Sequence, residues 1–372
     1  MMNTYLNNWC IASGDVVTTP SLSMLEAMSN ATLNDDVYAE DVTTMEFERF
    51  IANLCGREAA AFVISGTMAN QLAIRSLLHQ PPFSVLADSH SHMLHWEAGG
   101  LAHLSGAMVQ PIKPLNLQYL TVDDAIKHAV LTDDVHKAPT RVISIENTAS
   151  GTVVPIQELE ILKDWATKND VAIHMDGARL WEAATATGNS IKEFAQCCDV
   201  LTLDFSKNLG APMGAMVIGS ADLIKRLRRI RKSIGGGMRQ AGVLAAAARQ
   251  AVYENFGSDK IDRRGKLRLT HELAKRVADM WTERGGMLSK ATETNMIWLQ
   301  LEGSENERWD RITKRMGVKT NGRRLVLHHQ ICEEAIVGLG LAMDEFLGVR
   351  EEQSWQGNDM ESEACLRIKP RL

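Results

Sequence analysis

Two apolar segments of the sequence end in side chains that can carry out covalent and acid–base chemistry. Asp176 directly follows the apolar segment 171–175, and Lys207 comes three residues after the apolar segment 200–204. In an open α/β sheet, ligands bind beyond the carboxyl ends of the strands, so both side chains can face one bound molecule. Pyridoxal 5′-phosphate (PLP) requires such a pair, because a lysine forms an imine with it and an acid keeps its ring nitrogen protonated. A structural ion pair at the sheet edge would explain the same two residues equally well.

A strand-to-helix turn and a loop histidine could complete such a site. Ser65, Gly66 and Thr67 separate an apolar segment from a helical one. Their backbone N–H groups, hydroxyls and helix dipole suit a phosphate, although many turns have this composition. His92 lies in the loop after residues 84–87 and could stack on a ring or move protons, although a lone loop histidine more often has no catalytic role.

The elements that would position these residues alternate between strand and helix. Strands are predicted at 59–64, 84–87, 141–145, 171–175, 200–204 and 213–218, and helices at 21–28, 44–54, 68–79, 122–129, 159–168 and 240–253. This alternation indicates an α/β fold whose mostly parallel sheet is covered on both faces.

The pattern changes near residue 256, and 372 residues suffice for a large and a smaller domain. A long helix at 262–284 is followed by strand-like segments at 295–301 and 324–327 and a helix at 333–347. We therefore predict a PLP-binding large domain over 1–255, a small α+β domain over 256–350, and a flexible tail over 351–372.

Composition restricts the partners. A net charge of −6 and 45% apolar residues are ordinary for a globular protein. The basic run 225–232 fits the solvated, cationic end of a helix, so neither a nucleic-acid nor a membrane partner is predicted. The six cysteines include no Cys-x-x-Cys, and the N-terminus lacks a secretory pattern, so a cytoplasmic location is expected. His90, His92 and His95 lack acidic or histidine partners at helical spacing, so no metal site is predicted.

Seven stretches in order resemble the PLP-dependent L-threonine aldolases, which belong to the fold-type-I enzymes. The resemblance extends from about residue 15 to 347. It is carried by DDVYAED (35–41), SGTMAN (65–70), HMLHWEAGG (92–100), SIENTASG (144–151), HMDGARLWEA (174–183), FSKNLGAPMG (205–214) and GGGMRQAG (235–242). The family also includes fungal alanine racemases.

The resemblance implies roles for residues around the cofactor. Lys207 matches the lysine that forms the imine, and Asp176 matches the acid on the pyridine nitrogen. Arg179 matches an arginine near the cofactor hydroxyl and the substrate carboxylate. Gly66 and Thr67 match the phosphate cradle.

Further residues are implied to contact the substrate or a second subunit. His92 matches a histidine stacked over the ring, and His136 matches a second active-site histidine; either could take a proton from the substrate. Arg324 matches a second carboxylate-binding arginine, and Tyr38 matches a tyrosine that lines the pocket. Arg239 matches a residue near the phosphate of a neighbouring subunit, which implies a homo-oligomer built as a dimer of dimers.

The sequence departs from the family pattern at three places near the expected pocket. Ser13 stands where the family usually has arginine, and Gly14 stands where it usually has the serine that helps to hold the substrate. That substrate contact is therefore missing or displaced, and Ser13 is a candidate to replace it. Ala149-Ser150 replaces a bulkier pair that often includes histidine. Asp204 stands where a small residue, often one with sulfur, usually lies.

The resemblance therefore implies cleavage of the Cα–Cβ bond of L-threonine or L-allo-threonine to glycine and an aldehyde. The departures keep open an alternative in which the Cα–H bond breaks, which would make the protein an amino-acid (alanine) racemase. A homologue that binds or scaffolds without catalysis is a third possibility, and the presence of Lys207, Asp176, Arg179 and Arg324 argues against it.

Overall fold

The computed structural model describes residues 12–257 and 265–348, and its main feature is a seven-stranded sheet. The strands of this sheet lie in the order β1-β7-β6-β5-β4-β2-β3, and β8 and β9 form a separate antiparallel pair. Their bounds are β1 Ala59–Val63, β2 Ser84–Asp88, β3 Met108–Ile112, β4 Thr140–Glu146, β5 Ala172–Gly177, β6 Val200–Asp204, β7 Ala215–Gly219, β8 Met296–Trp298 and β9 Arg324–Val326.

Helices connect and cover the strands. They are α1 Leu22–Ser29, α2 Val42–Leu54, α3 Gly66–Leu77, α4 His92–His95, α5 Gly100–Ser105, α6 Val122–His128, α7 Ile156–Lys168, α8 Leu180–Thr187, α9 Ile191–Gln196, α10 Ala221–Ser233, α11 Gly242–Ala251, α12 Lys266–Glu283, α13 Glu305–Arg315 and α14 Glu333–Leu347. Short 3-10 turns cover Asp15–Val17 and Asp36–Tyr38, and a π-helical turn covers Val252–Phe256.

The large sheet is buried on both faces, which explains its near-continuous apolar strands. In β1, Phe62 packs in the core cluster that contains α2, α7 and α11, whereas the next residue, Val63, packs on the other face against α3 and α10. Only β7 runs antiparallel to its neighbours. The carboxyl ends of β1, β2, β4, β5 and β6 therefore lie along one edge, and the predicted mostly parallel α/β fold is confirmed.

A second apolar core lies in the C-terminal part of the chain. It joins α12, α13 and α14 to the β8–β9 pair, with Trp281 and Trp309 packed edge to face at its centre. Ala12 also packs here, and its carbonyl accepts a hydrogen bond from the Val326 N–H. Ala12 thus packs away from the sheet, in a core that the sequence assigned to a domain starting near residue 256. The domain boundaries themselves stay a prediction, and the predicted tail 351–372 lies outside the described residues.

The structure differs from the sequence-based expectations in two places. The edge strand β3 was not foreseen, because Gln110 and Pro111 interrupt its apolar pattern and Pro is tolerated only where a strand needs no further ladder bond. The basic run 225–232 lies in α10 as expected, but it is not solvated throughout. Arg231 is buried and pairs with Asp36, with 2.8 Å between Arg231 Nη2 and Asp36 Oδ2. None of the helices in 12–257 and 265–348 is long and apolar enough to span a membrane.

Candidate active site

A cavity of about 240 Å³ opens at the carboxyl edge of the large sheet. Three acidic residues at or next to the ends of neighbouring strands line it: Glu146 of β4, Asp176 of β5 and Asp204 of β6. The remaining lining residues are Ser65, Gly66, Thr67, Asn70, His92, Asn147, Thr148, Ala178, Arg179, Ser206 and Lys207. The fold thus brings Lys207, Asp176, Arg179, His92, Gly66 and Thr67 together, as the sequence predicts.

The carboxylate of Asp176 is buried and held in a fixed orientation. Asn70 donates from Nδ2 to Asp176 Oδ2 at 2.7 Å, and the Ala178 N–H donates to Oδ1 at 3.0 Å. Asn70 is itself oriented, because its Oδ1 accepts a hydrogen bond from Thr202 Oγ1 at 2.9 Å. An oriented carboxylate at the floor of a cavity suits the acid that faces a pyridine nitrogen.

Lys207 lies in the loop that follows β6, and its backbone is held in place. The Lys207 carbonyl accepts hydrogen bonds from Thr18 Oγ1 at 2.5 Å and from the Gly210 N–H at 2.9 Å. Within the described part of the chain, its Nζ makes no hydrogen bond or ion pair. A half-buried amine without a partner at the cavity wall is available to form a covalent bond with a carbonyl ligand.

His92 lies at the start of the short helix α4 and is oriented by a buried glutamate. Its Nδ1 lies 2.9 Å from Glu97 Oε1, and Glu97 also accepts hydrogen bonds from Asn70 and Gln71. The hydrogen bond to Glu97 raises the pKa of His92, burial opposes this effect, and the charge of Asp176 adds to it. The bond also leaves Nε2 as the ring nitrogen that can exchange a proton with a ligand.

Glu146 is a further ionisable residue of the cavity, and the sequence analysis gave it no role. Burial raises its pKa to about 8, and the neighbouring charge of Asp176 adds to the shift. Glu146 accepts a hydrogen bond from the backbone N–H of His92. Its position directly after the predicted strand 141–145 was the signal that could have identified it.

The first turn of α3 presents donors to the cavity. Ser65 caps this helix by accepting a hydrogen bond from the Met68 N–H at 3.2 Å. Among the described residues, the N–H groups of Gly66 and Thr67 have no hydrogen-bond partner. Free N–H groups and the positive end of a helix dipole form an anion site, which fits a phosphate.

Arg179 has a partner that the sequence analysis did not predict. Its Nη2 and Nε donate to the two carboxylate oxygens of Asp15, at 2.7 and 2.9 Å. Asp15 is fully buried; burial alone would raise its pKa, but Arg179, Lys207 and Asn295 bring the pKa well below its usual range. Asp15 occupies the Nε–Nη2 edge of the guanidinium, so the Nη1 group and the second N–H of Nη2 are left for a ligand. The predicted contact of Arg179 with the substrate carboxylate therefore stays a prediction.

Arg324 and Ser13 lie next to the cavity rather than on its wall. Arg324 is half-buried in β9, and its Nη2 lies 3.8 Å from Met296 Sδ. Burial lowers its pKa, the nearby charge of Arg179 adds to this effect, and Asp15 opposes it. Ser13 forms a bridge to Val326, two residues from Arg324. Neither residue lines the cavity, so their predicted contact with substrate stays a prediction.

Three predicted residues are exposed and lie outside the cavity. His136 precedes β4, at the opposite edge of the sheet, and its N–H donates to Asp134. A role for His136 in the cavity of its own chain is therefore wrong. Tyr38 and Arg239 lie on one shared surface, because the Asp36 N–H donates to the Arg239 carbonyl, and Tyr38 is 77% exposed. Within the single chain, neither side chain contacts the cavity.

The sheet order, the lysine after β6 and the acid at the end of β5 define the fold-type-I class of PLP enzymes. The computed structure superimposes on the threonine aldolase of Leishmania major with a TM-score of 0.75 at 20% identity, over 91% of this chain and 99% of that one. The model of the beta-eliminating lyase family matches residues 13–303, and the chain belongs to this family.

Two curated relatives span most of this chain. The alanine racemase TOXG of Cochliobolus carbonum is 50% identical over 332 residues, which is 89% of this chain and 85% of that protein. A low-specificity L-threonine aldolase of Eremothecium gossypii is 39% identical over 347 residues, which is 92% of this chain and 89% of that protein. The resemblance to L-threonine aldolases that the sequence motifs carry is confirmed.

Proposed function

We propose that this protein is a PLP-dependent lyase that cleaves L-threonine or L-allo-threonine, or another small β-hydroxy-α-amino acid, to glycine and an aldehyde. The observation that carries the proposal is the meeting of Lys207, Asp176 and the Glu97-supported His92 at one cavity. The curated L-threonine aldolases among the relatives support the same reaction.

The residues at the cavity fit PLP. Lys207 offers an unpaired amine for the aldehyde, Asp176 offers an oriented carboxylate for the ring nitrogen, and the N–H groups of Gly66 and Thr67 offer donors for the phosphate. When bound, PLP supplies an electron sink that accepts the electron pair of a bond broken at Cα. His92 lies beside these groups, where a ring could stack under it.

The protein side chains then decide which bond breaks. Arg324, assisted by Nη1 of Arg179, binds the substrate carboxylate and so fixes the rotation about the N–Cα bond. His92, in its neutral form, takes the proton of the β-hydroxyl at Nε2 while Glu97 holds Nδ1. One base suffices for this cleavage, because the aldehyde forms as the hydroxyl proton leaves, and a proton is then returned to Cα to give glycine.

Amino-acid racemisation is the second candidate, and the 50% identity with alanine racemase TOXG favours it. Racemisation needs proton exchange on both faces of Cα. Lys207 would serve one face and His92 the other, and both line the cavity. The two candidates therefore share the cofactor site and differ in the bond that is aligned for cleavage.

We also propose that the protein works as a homo-oligomer, as a dimer of dimers. Tyr38 and Arg239 are exposed on one surface, and Arg239 Nε lies 3.9 Å from Asp35 Oδ2 at the protein surface. The resemblance implies that this arginine lies near the phosphate bound by an adjacent chain. A cytoplasmic location is proposed as well, because Cys55, Cys197 and Cys198 are buried thiols, as expected in a reducing compartment.

Incubation of the PLP-loaded protein in D2O with L-threonine, L-allo-threonine and L-alanine separately tests the proposal. Acetaldehyde and glycine from either threonine would establish the lyase, and the faster isomer would show its preference. D-Alanine with deuterium at Cα, formed with little acetaldehyde, would establish the racemase and reject the lyase.

A further inference from the structure

Asp204 places a carboxylate against the phosphate cradle. The residue ends β6, and only 6% of its surface is exposed. Its Oδ1 accepts hydrogen bonds from the N–H and the Oγ of Ser206, at 2.7 and 2.9 Å. Its Oδ2 faces the first turn of α3, since a Cβ built on Gly66 would lie 2.9 Å from this oxygen. Glycine at position 66 is thus what allows the carboxylate to approach the helix start.

This placement sets two anions at one site. The N–H groups of Gly66 and Thr67 attract a phosphate, and the free oxygen of Asp204 lies beside them in the same cavity. A phosphate monoester has a second pKa of about 6, so above neutral pH it carries two charges and no proton. A doubly charged phosphate and a carboxylate repel each other, whereas a phosphate that keeps one proton can donate it to the carboxylate in a short O–H···O bond.

We propose that Asp204 shares one proton with the cofactor phosphate, so that this protein binds PLP as the singly charged monoanion. When the doubly charged form binds, the site takes up one proton from solution. The inference rests on the proposed assignment of the phosphate to Gly66 and Thr67. It gives the departure from the family pattern at position 204 a function: cofactor affinity becomes dependent on pH, and the loaded fraction falls as pH rises.

Other charged groups also face this cavity and could add their own pH dependence. They are Lys207 in the loop after β6, Arg179 and Asp176 at the end of β5, His92 in α4 and Glu146 at the end of β4. In the proposed assignment, these groups would surround the ring and the imine position. Their protonation therefore affects the binding of PLP and of pyridoxal, which lacks the phosphate, alike.

The ratio of the dissociation constants of pyridoxal and PLP isolates the phosphate contribution. It is measured for the cofactor-free full-length protein between pH 6.5 and 8.5, with the visible band of the lysine-bound ligand as the signal. We expect the ratio to fall about tenfold per pH unit above pH 7, because the monoanion fraction falls by that factor. In Asp204→Asn the amide can donate to the doubly charged phosphate, so the ratio should not change with pH. At pH 8 it should exceed the ratio of the unmodified protein at least about tenfold.

Asp88→Asn is the matched control, because Asp88 ends β2, another parallel strand of the same sheet, and does not line this cavity. Its ratio should fall with pH as in the unmodified protein. If the ratio for the unmodified protein is well above one but does not change with pH, the proposed role of Asp204 is overturned, and the phosphate site at Gly66 and Thr67 still stands. A ratio near one at every pH in all three proteins would overturn the cradle itself. The unmodified protein alone decides both points, even if a variant fails to fold.

Discussion

Replacing Asp15 by asparagine should destabilise the protein strongly, because Asp15 and Arg179 form a buried ion pair. The Asp15 side chain is fully buried, and it accepts two hydrogen bonds from Arg179 and one from Asn295 Nδ2 at 3.2 Å. Asparagine keeps the shape but removes the charge, and it turns one acceptor into a donor that faces another donor. Breaking a buried pair on one side costs about 3–5 kcal/mol, since the remaining charge stays buried without its partner.

The assay is urea unfolding followed by circular dichroism at one fixed protein concentration, because association contributes to apparent stability. Asp170→Asn is the matched control: Asp170 is exposed, and its contact with Arg141 is 3.6 Å long. The same chemical change there should alter the unfolding free energy by less than about 1 kcal/mol. An Asp15→Asn protein within about 1 kcal/mol of the unmodified one would refute the argument that this pair holds the site together.

The pH dependence gives the Asp15 prediction a second test. The pKa of Asp15 in the folded protein lies below its unfolded value of about 3.9, so its contribution is complete above that value. As pH falls through the folded pKa, protonation removes the contribution. The stability difference between the two proteins should therefore be constant from pH 5 to 8 and shrink only in acid. A difference that disappears near pH 6 would contradict this account.

Three other predictions concern residues of the site. Glu97→Gln removes the negative charge of the acceptor whose hydrogen bond raises the pKa of His92, so the acidic limb of kcat/KM, where His92 must be neutral, should move to lower pH; an unchanged limb would exclude His92 as the base. Arg324→Ala should raise KM by the equivalent of about 2–5 kcal/mol, with Arg324→Lys in between, and equal KM values would place the carboxylate site elsewhere. His136→Ala should leave the visible cofactor band unchanged, because His136 lies at the opposite edge of the sheet; a lost band would contradict that placement.

The sequence was sufficient for the sheet because its strands carry strong local signals. Residues 200–204 form β6 with the predicted bounds, and β5, which contains Asp176, lies next to it. Parallel strands buried on both faces are apolar throughout, so they are recognised without knowledge of their partners. The edge strand β3 lacks this signal, because only one side of it pairs and its face is partly exposed.

The partners of the site residues could not be predicted, since they come from distant parts of the chain. Asp15 is separated from Arg179 by 164 positions, and Asn70 is separated from Asp176 by 106. No local pattern shows that Arg179 is already engaged by a carboxylate. The predicted active-site role of His136 was wrong for a related reason. A motif match identifies the neighbours of a residue in sequence, whereas the edge of the sheet on which its loop lies depends on the direction of the strands.

The central claim is that Lys207 holds the cofactor, and chemical trapping tests it most directly. Borohydride reduction of the PLP-loaded protein converts the imine to a stable secondary amine, and peptide mapping by mass spectrometry then identifies the modified lysine. Lys290 is the informative competitor, because burial lowers its pKa to about 8 and it lines a neighbouring groove that shares Glu146 with the cavity. The account predicts the label on Lys207 and its absence in Lys207→Ala. A label on Lys290, or one that persists in Lys207→Ala, would contradict it.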